Sequence, residues 1–185
     1  MSDALKSDDR PIKMFHHFAL DVADMDRSIA FYRDLLGFKL TERHKAGEVP
    51  AIPFELAFLR CGDHHHDLVL SHNTRKKYRA RTPADDAEGP AYIHHFAFAC
   101  QDRASWDVLL EKVRARGIPI IRGPVLHSPW QKGGEGSWGE NLSFYIHDPD
   151  GHRLELFCDM ATIDADGTFV THDGERIEQA KAVEI

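Results

Sequence analysis

The stretch HHFALDV at residues 16–22 returns as HHFAFAC at residues 94–100, and this echo sets the architecture. Each copy alternates with period two. Phe18, Leu20 and Val22 face one way and His17 and Ala19 the other, just as Phe96, Phe98 and Cys100 oppose His95 and Ala97. Each strand thus aims a histidine, His17 or His95, away from its apolar face. His16 and His94 are expected on the opposite side, in structural roles. A helix follows in both copies. Asp24 is placed to cap the first, Met25, Ile29, Tyr32 and Leu36 form its apolar stripe, and Gly37 ends it. Asp102, then Trp106, Leu109, Leu110 and Val113, then Gly117 repeat the design, and the strand IPII follows at 118–121. The copies close in strands: PFELAFLRC at 53–61 and DLVLS at 67–71 in the first, NLSFYIH at 141–147 and RLELFC at 153–158 in the second. The expected fold class is α+β, built from two tandem βαβββ modules that share a cleft.

Five segments follow. Residues 1–12 read as a flexible arm, 13–72 as module 1, 73–91 as a solvated linker, 92–158 as module 2, and 159–185 as a tail serving as a lid or oligomer contact. The linker, NTRKKYRARTPADDAEGPA, runs from basic to acidic and is assigned no chemistry. The tail carries the turn signals DADG and HDG.

Composition narrows the class. A chain of 185 residues with 42% hydrophobic and 29% charged residues is globular, with room for one substantial core or two small fused units. Its net charge of −7 argues against nucleic acid or an anionic membrane as partner. No run approaches the roughly 18 apolar residues of a membrane span, and MSDALKSDDR has no apolar leader core, so the expected location is the cytoplasm. Cys61, Cys100 and Cys158 form no CxxC pair, which fits reduced thiols better than a disulfide framework or a cysteine zinc site. The unusual number is 13 histidines.

A lone histidine on a strand is more often a hydrogen-bonded structural group than a ligand. The repeat changes that reading, because His17 and His95 occupy equivalent positions and two such modules around a pseudo-twofold axis would share them. In RLELFC the period sets Glu155 opposite Leu154 and Leu156, and a buried carboxylate there needs a partner. His17, His95 and Glu155 therefore read as metal ligands. Two imidazoles and one carboxylate that leave further positions open suit non-haem Fe(II), although Zn(II) and Mn(II) accept the same donors. In module 1 the position matching Glu155 is Val69, so three protein ligands are expected rather than four. His66 enters the strand DLVLS, whereas His64, beside it in the run His64-His65-His66, reads as a surface residue.

At this point residues 14–158 resemble the type I extradiol ring-cleaving dioxygenases of the vicinal-oxygen-chelate superfamily, in their small two-module form. The segment FYIHDPDGHRLEL at 144–156 is similar to that family's Tyr-x-x-Asp-Pro-x-Gly-x-x-x-Glu element, with DPDG forming the tight turn. The resemblance implies that His17, His95 and Glu155 hold Fe(II), with Mn(II) as the alternative ion. It also implies O2 as co-substrate, His66 as the acid/base histidine, and Tyr145 as the phenol that hydrogen-bonds a substrate oxygen. Valine replaces the family's alanine in HDLVL. Arg122, in Arg122-Gly123-Pro124, resembles a substrate-contacting arginine suited to a carboxylated catechol. The family has a histidine only a few residues before the tyrosine strand. Here the upstream candidate is His127, set off by SPWQKGGEGSWGEN, an insertion whose Trp130 and Trp138 sit among glycines as in a mobile loop. His127 and Arg122 are the candidate substrate-binding residues.

The implied reaction inserts both atoms of O2 beside the two hydroxyl-bearing carbons of a catecholic ring and yields a ring-opened semialdehyde-type product. The expected partners are a small aromatic diol and a second copy of the chain in a homo-oligomer. Two alternatives remain on the same fold. One is a glyoxalase-type metal-dependent isomerase or lyase, which ordinarily uses four protein ligands; the other is a metal-free small-molecule-binding resistance module.

Overall fold

The apolar alternation after His17 becomes strand β1 (Phe18–Asp21) of a four-stranded sheet in the order β1-β4-β3-β2, with β2 at Lys39–His44, β3 at Glu55–Arg60 and β4 at Leu68–His72. The structure, a computed structural model, describes residues 12, 14–89, 93–136 and 139–181. Most of the expected N-terminal arm, part of the linker and Trp138 lie outside the described residues. The chain divides into two units, Met1–Tyr78 and Arg79–Ile185.

In unit 1, β1 runs parallel to β4, and the remaining pairs are antiparallel. Helix α1 (Met25–Ala30) starts at Asp24, whose side chain accepts the Arg27 N–H, and runs on into a π turn over Phe31–Leu35. Its Met25, Ile29 and Tyr32 are buried with Leu20, Leu68, Leu70, Ala57 and Leu59 of the sheet. Leu35 is buried with them, while Leu36 stays half-buried. Gly37 then reverses the chain at φ +80°, a conformation that favours glycine.

Unit 2 repeats the topology. Its sheet runs β5-β8-β7-β6, with β5 at Phe96–Ala99, β6 at Ile120–His127, β7 at Asn141–His147 and β8 at Arg153–Cys158. Helix α3 (Arg103–Ala115) is capped by Asp102 and buries Trp106, Leu110 and Val113. The Trp106 indole donates to the Leu156 carbonyl at 2.9 Å and meets the Phe144 ring edge-on, which fixes α3 on one face of the sheet. Residues 143, 145, 153 and 155 therefore face the other way. The turn DPDG is drawn together by Asp148, whose carboxylate accepts the N–H groups of Asp150 and His152.

Three features differ from the sequence expectation. Strand β6 continues past residue 121 to His127 across Gly123 and Pro124. It is an edge strand, so the missing proline N–H removes no ladder bond that a central strand would need, and register shifts near Arg122 absorb the irregularity. The segment between the repeats contains a helix, α2 (Pro83–Glu88), set by a capping box between Thr82 and Asp85. The tail folds into a sheet of β9 (Thr162–Ile163), β10 (Thr168–Val170) and β11 (Arg176–Lys181). Among the described residues no helix is long and apolar enough to cross a membrane.

Candidate functional site

Register shows what each unit contributes. In unit 2, Ala97 of β5 pairs with Glu155 of β8, and Glu155 pairs with Tyr145 of β7. The same places in unit 1 are Ala19, Val69 and Phe58. The carboxylate and phenol of unit 2 are thus replaced by two apolar side chains in unit 1, where histidine chemistry gathers instead just ahead of β1 and β4.

In unit 2, His95 Nε2 lies 3.0 Å from Glu155 Oε2. The Ser143 hydroxyl donates to the other oxygen, Oε1, at 2.6 Å, and both Ser143 and Glu155 are buried. Glu155 is thereby held from one side and presents its second oxygen to the imidazole. Burial keeps the His95 ring below its ordinary pKa, against the raising pull of Glu155, so the ring is neutral at pH 7 and has a lone pair to give. Tyr145 meets the His95 ring edge-on at 5.8 Å. Burial first, and the Glu155 charge second, push its phenol up to about 12, so Tyr145 remains an O–H donor at neutral pH.

His127 comes to the same place. Its Nε2 is 2.9 Å from the Tyr145 hydroxyl and its Nδ1 is 2.7 Å from Glu135 Oε1. A carboxylate at Nδ1 favours the proton there and leaves Nε2 to accept from the phenol. Glu135 Oε1 also accepts from Arg122 at 2.5 Å, and the Arg122 guanidinium stands 5.8 Å from the centre of the Tyr145 ring. Arg153 covers that ring at 4.8 Å. His95, Glu155, Tyr145, His127 and Arg122 therefore form one cluster.

In unit 1, the His17 and His66 rings are 4.5 Å apart, and Phe58 packs edge-on against His66 at 5.1 Å. Burial lowers the His66 pKa, and the neighbouring histidines lower it further against a weaker opposing pull from Asp67. A neutral imidazole there can accept a proton. The expectation that His16 and His94 face away from their neighbours is overturned. His16 Nδ1 lies 3.0 Å from His17 Nδ1, and His94 Nδ1 lies 2.6 Å from His95 Nδ1. Strands β1 and β5 begin only at Phe18 and Phe96, so strand alternation does not govern the residues before them. Asp21 pairs with Lys76.

Sequence reasoning missed Ser143 and Glu135. Ser143 sits two residues before Tyr145 on the same strand, so period two would have found it. Glu135 lies in a glycine-rich insertion without periodicity and gave no signal.

The profile of the glyoxalase/bleomycin resistance protein/dioxygenase superfamily matches residues 14–156. The chain belongs to this superfamily. Within the superfamily, it is 27% identical over 167 residues to a biphenyl-2,3-diol 1,2-dioxygenase of Metapseudomonas furukawaii, covering 90% of this chain but 47% of that protein. The chain thus spans about half the length of that relative. It is 28% identical to the glutathione transferase FosA of Serratia marcescens, covering 78% of this chain and 80% of that protein. The trypanothione-dependent glyoxalase I of Leishmania major shares its fold at a TM-score of 0.55 and 25% identity, covering 78% of this chain and 86% of that one. Superfamily membership fixes the vicinal-oxygen-chelate fold, on which dioxygenases, glyoxalases and resistance proteins are built. Each unit by itself offers donors that a divalent ion accepts: a buried carboxylate oxygen facing an imidazole in unit 2, and clustered imidazoles in unit 1.

Proposed function

We propose that the chain is an Fe(II)-dependent extradiol dioxygenase that opens a catecholic ring with O2. The observation that carries this reading is the broken symmetry of the register, which sets Glu155 and Tyr145 against Val69 and Phe58. In this reading His17, His95 and Glu155 are the three ligands, with Mn(II) as the alternative ion. Such a set, with open positions for two reactants, is the donor pattern of non-haem iron oxygenases. Bound there, Fe(II) would bring the catechol and O2 together and carry electron density between them.

The remaining work falls to side chains. Ser143 fixes the orientation of Glu155. Tyr145 gives its O–H to His127 Nε2 and accepts, through its oxygen, from a catechol hydroxyl. His66 accepts a proton from a catechol hydroxyl and returns it as the ring opens. His127, oriented by Glu135, sets the direction of the Tyr145 hydroxyl, and Arg122 favours a ring bearing an anionic substituent. The atoms balance, since one catechol and one O2 give a single ring-opened acid with no other oxidant.

Two variants test the assignment. His66→Ala is expected to retain iron and lose turnover by about 10²–10⁴-fold, whereas Glu155→Ala is expected to lose the iron. Normal turnover in His66→Ala would remove that residue from the mechanism. A second reading, a glyoxalase-type isomerase, draws support from the likeness to the Leishmania major glyoxalase I, 86% of whose chain is covered, and it predicts activity with zinc or nickel without oxygen uptake.

A further inference from the structure

Unit 1 holds more imidazole than ring cleavage would use. His16, His17 and His66 each offer a ring nitrogen, and these three atoms all lie within 4.8 Å of one another. The two Nδ1 atoms of His16 and His17, 3.0 Å apart, face each other with lone pairs that need a proton or a cation between them. His66 closes the group, its ring 5.5 Å from that of His16 and 4.5 Å from that of His17. An ion with nitrogens at 2.0–2.1 Å in tetrahedral array holds its donors about 3.3 Å apart. His16 and His17 are exposed, so rotation about their side-chain bonds can bring the group to that spacing without moving the sheet.

The chemistry of the donors says which ion. All three are imidazoles, each with a ring nitrogen turned into the group. The Asp67 carboxylate accepts the N–H groups of Cys61 and Gly62 through Oδ2 and faces His64 Nδ1 through Oδ1, so it is tied to the 61–64 turn. An all-nitrogen set favours the late first-row ions over iron, following the order in which copper and zinc bind more tightly than Fe(II). We propose that His16, His17 and His66 form a separate site in unit 1 for a late first-row divalent ion, zinc(II) or copper(II). Because His17 also belongs to the proposed iron set, this site competes with iron loading; that consequence rests on the dioxygenase reading, whereas the site itself does not.

The test uses the full chain carrying His95→Ala and Glu155→Gln, which removes both unit 2 ligands of the iron set. The protein is stripped with a chelator and titrated with zinc(II) against a chromophoric competitor. One zinc per chain is expected. Adding His16→Ala should weaken binding by at least about tenfold, while adding His64→Ala should leave it within about twofold. Absence of stoichiometric zinc in the double variant overturns the proposal, as does an unchanged affinity in His16→Ala. An equal loss in His64→Ala assigns the binding to the 64–66 run instead and overturns it too. Thermal melts of each variant confirm that the exposed substitutions leave the fold intact. The competition reads no turnover, so failure of the wild-type chain to consume oxygen would refute the dioxygenase reading and leave this result standing.

Discussion

Ser143→Ala separates a structural contact from a ligand-positioning one. The hydroxyl donates at 2.6 Å to a carboxylate oxygen of Glu155, and both residues are buried. Removing it takes a donor from that oxygen, and a hydrogen bond to a charged group is worth about 1.5–3 kcal/mol. For a chain of this size each kcal/mol moves the melting temperature by about 2–4 °C, so the metal-free variant should melt roughly 3–12 °C below wild type. The second effect appears only with metal. If Ser143 orients Glu155 as a ligand, its loss should weaken metal binding by about 10–100-fold. At one fixed ion concentration above both dissociation constants, the ion then stabilises the variant less than wild type by about 1.4–2.7 kcal/mol. The melting gap should therefore widen when Fe(II) is added anaerobically. A gap that stays constant would show that the hydroxyl serves the fold and not the ligand. Coincident melts without metal would refute the hydrogen bond's contribution altogether.

Three further outcomes follow from the geometry. Glu135→Ala removes the acceptor at His127 Nδ1, so nitrogen NMR of the ring should show a shift toward the Nε2–H tautomer with iron content unchanged; an unaltered tautomer would disconnect Glu135 from His127. Gly151→Ala should cost about 2–5 kcal/mol in a denaturant melt, because φ there is +85° and the new Cβ would stand 2.2 Å from the Arg81 nitrogen; a neutral result would mean that residue 81 packs elsewhere. Burial pushes the Cys100 thiol up to about 11 and the Cys158 thiol up to about 12. At pH 8 only about one in 10³ and one in 10⁴ of them are thiolates, so alkylation should begin at exposed Cys61 and rise roughly tenfold per pH unit at half-buried Cys100 and buried Cys158; fast labelling of Cys158 at pH 8 would contradict its burial.

The residues that were legible in the sequence are those under a simple period. Strands β7 and β8 span the residues read from alternation, since DPDG punctuates them on one side and apolar packing against α3 demands one register. The pairing of Val69 with the position of Glu155 followed from the same period. His16 and His94 were misread because that period was extended two residues beyond the strands. Helix α2 escaped because a capping box, rather than an apolar stripe, sets it, and its signal was Thr82 followed three residues later by Asp85. The strand read as 118–121 extends to His127 because its edge position tolerates Pro124. Glu135 was invisible because a glycine-rich insertion fixes no direction for its side chains, and its role emerges only where it meets His127 and Arg122.

Oxygen uptake by the full chain, reconstituted anaerobically with Fe(II) and offered a panel of substituted catechols, tests the central claim most directly. The account predicts one O2 consumed per ring, with a yellow ring-opened product formed at the same rate. Stoichiometric iron with no oxygen consumed on any catechol would contradict it, and turnover with zinc or nickel in the absence of O2 would assign the site to isomerase chemistry.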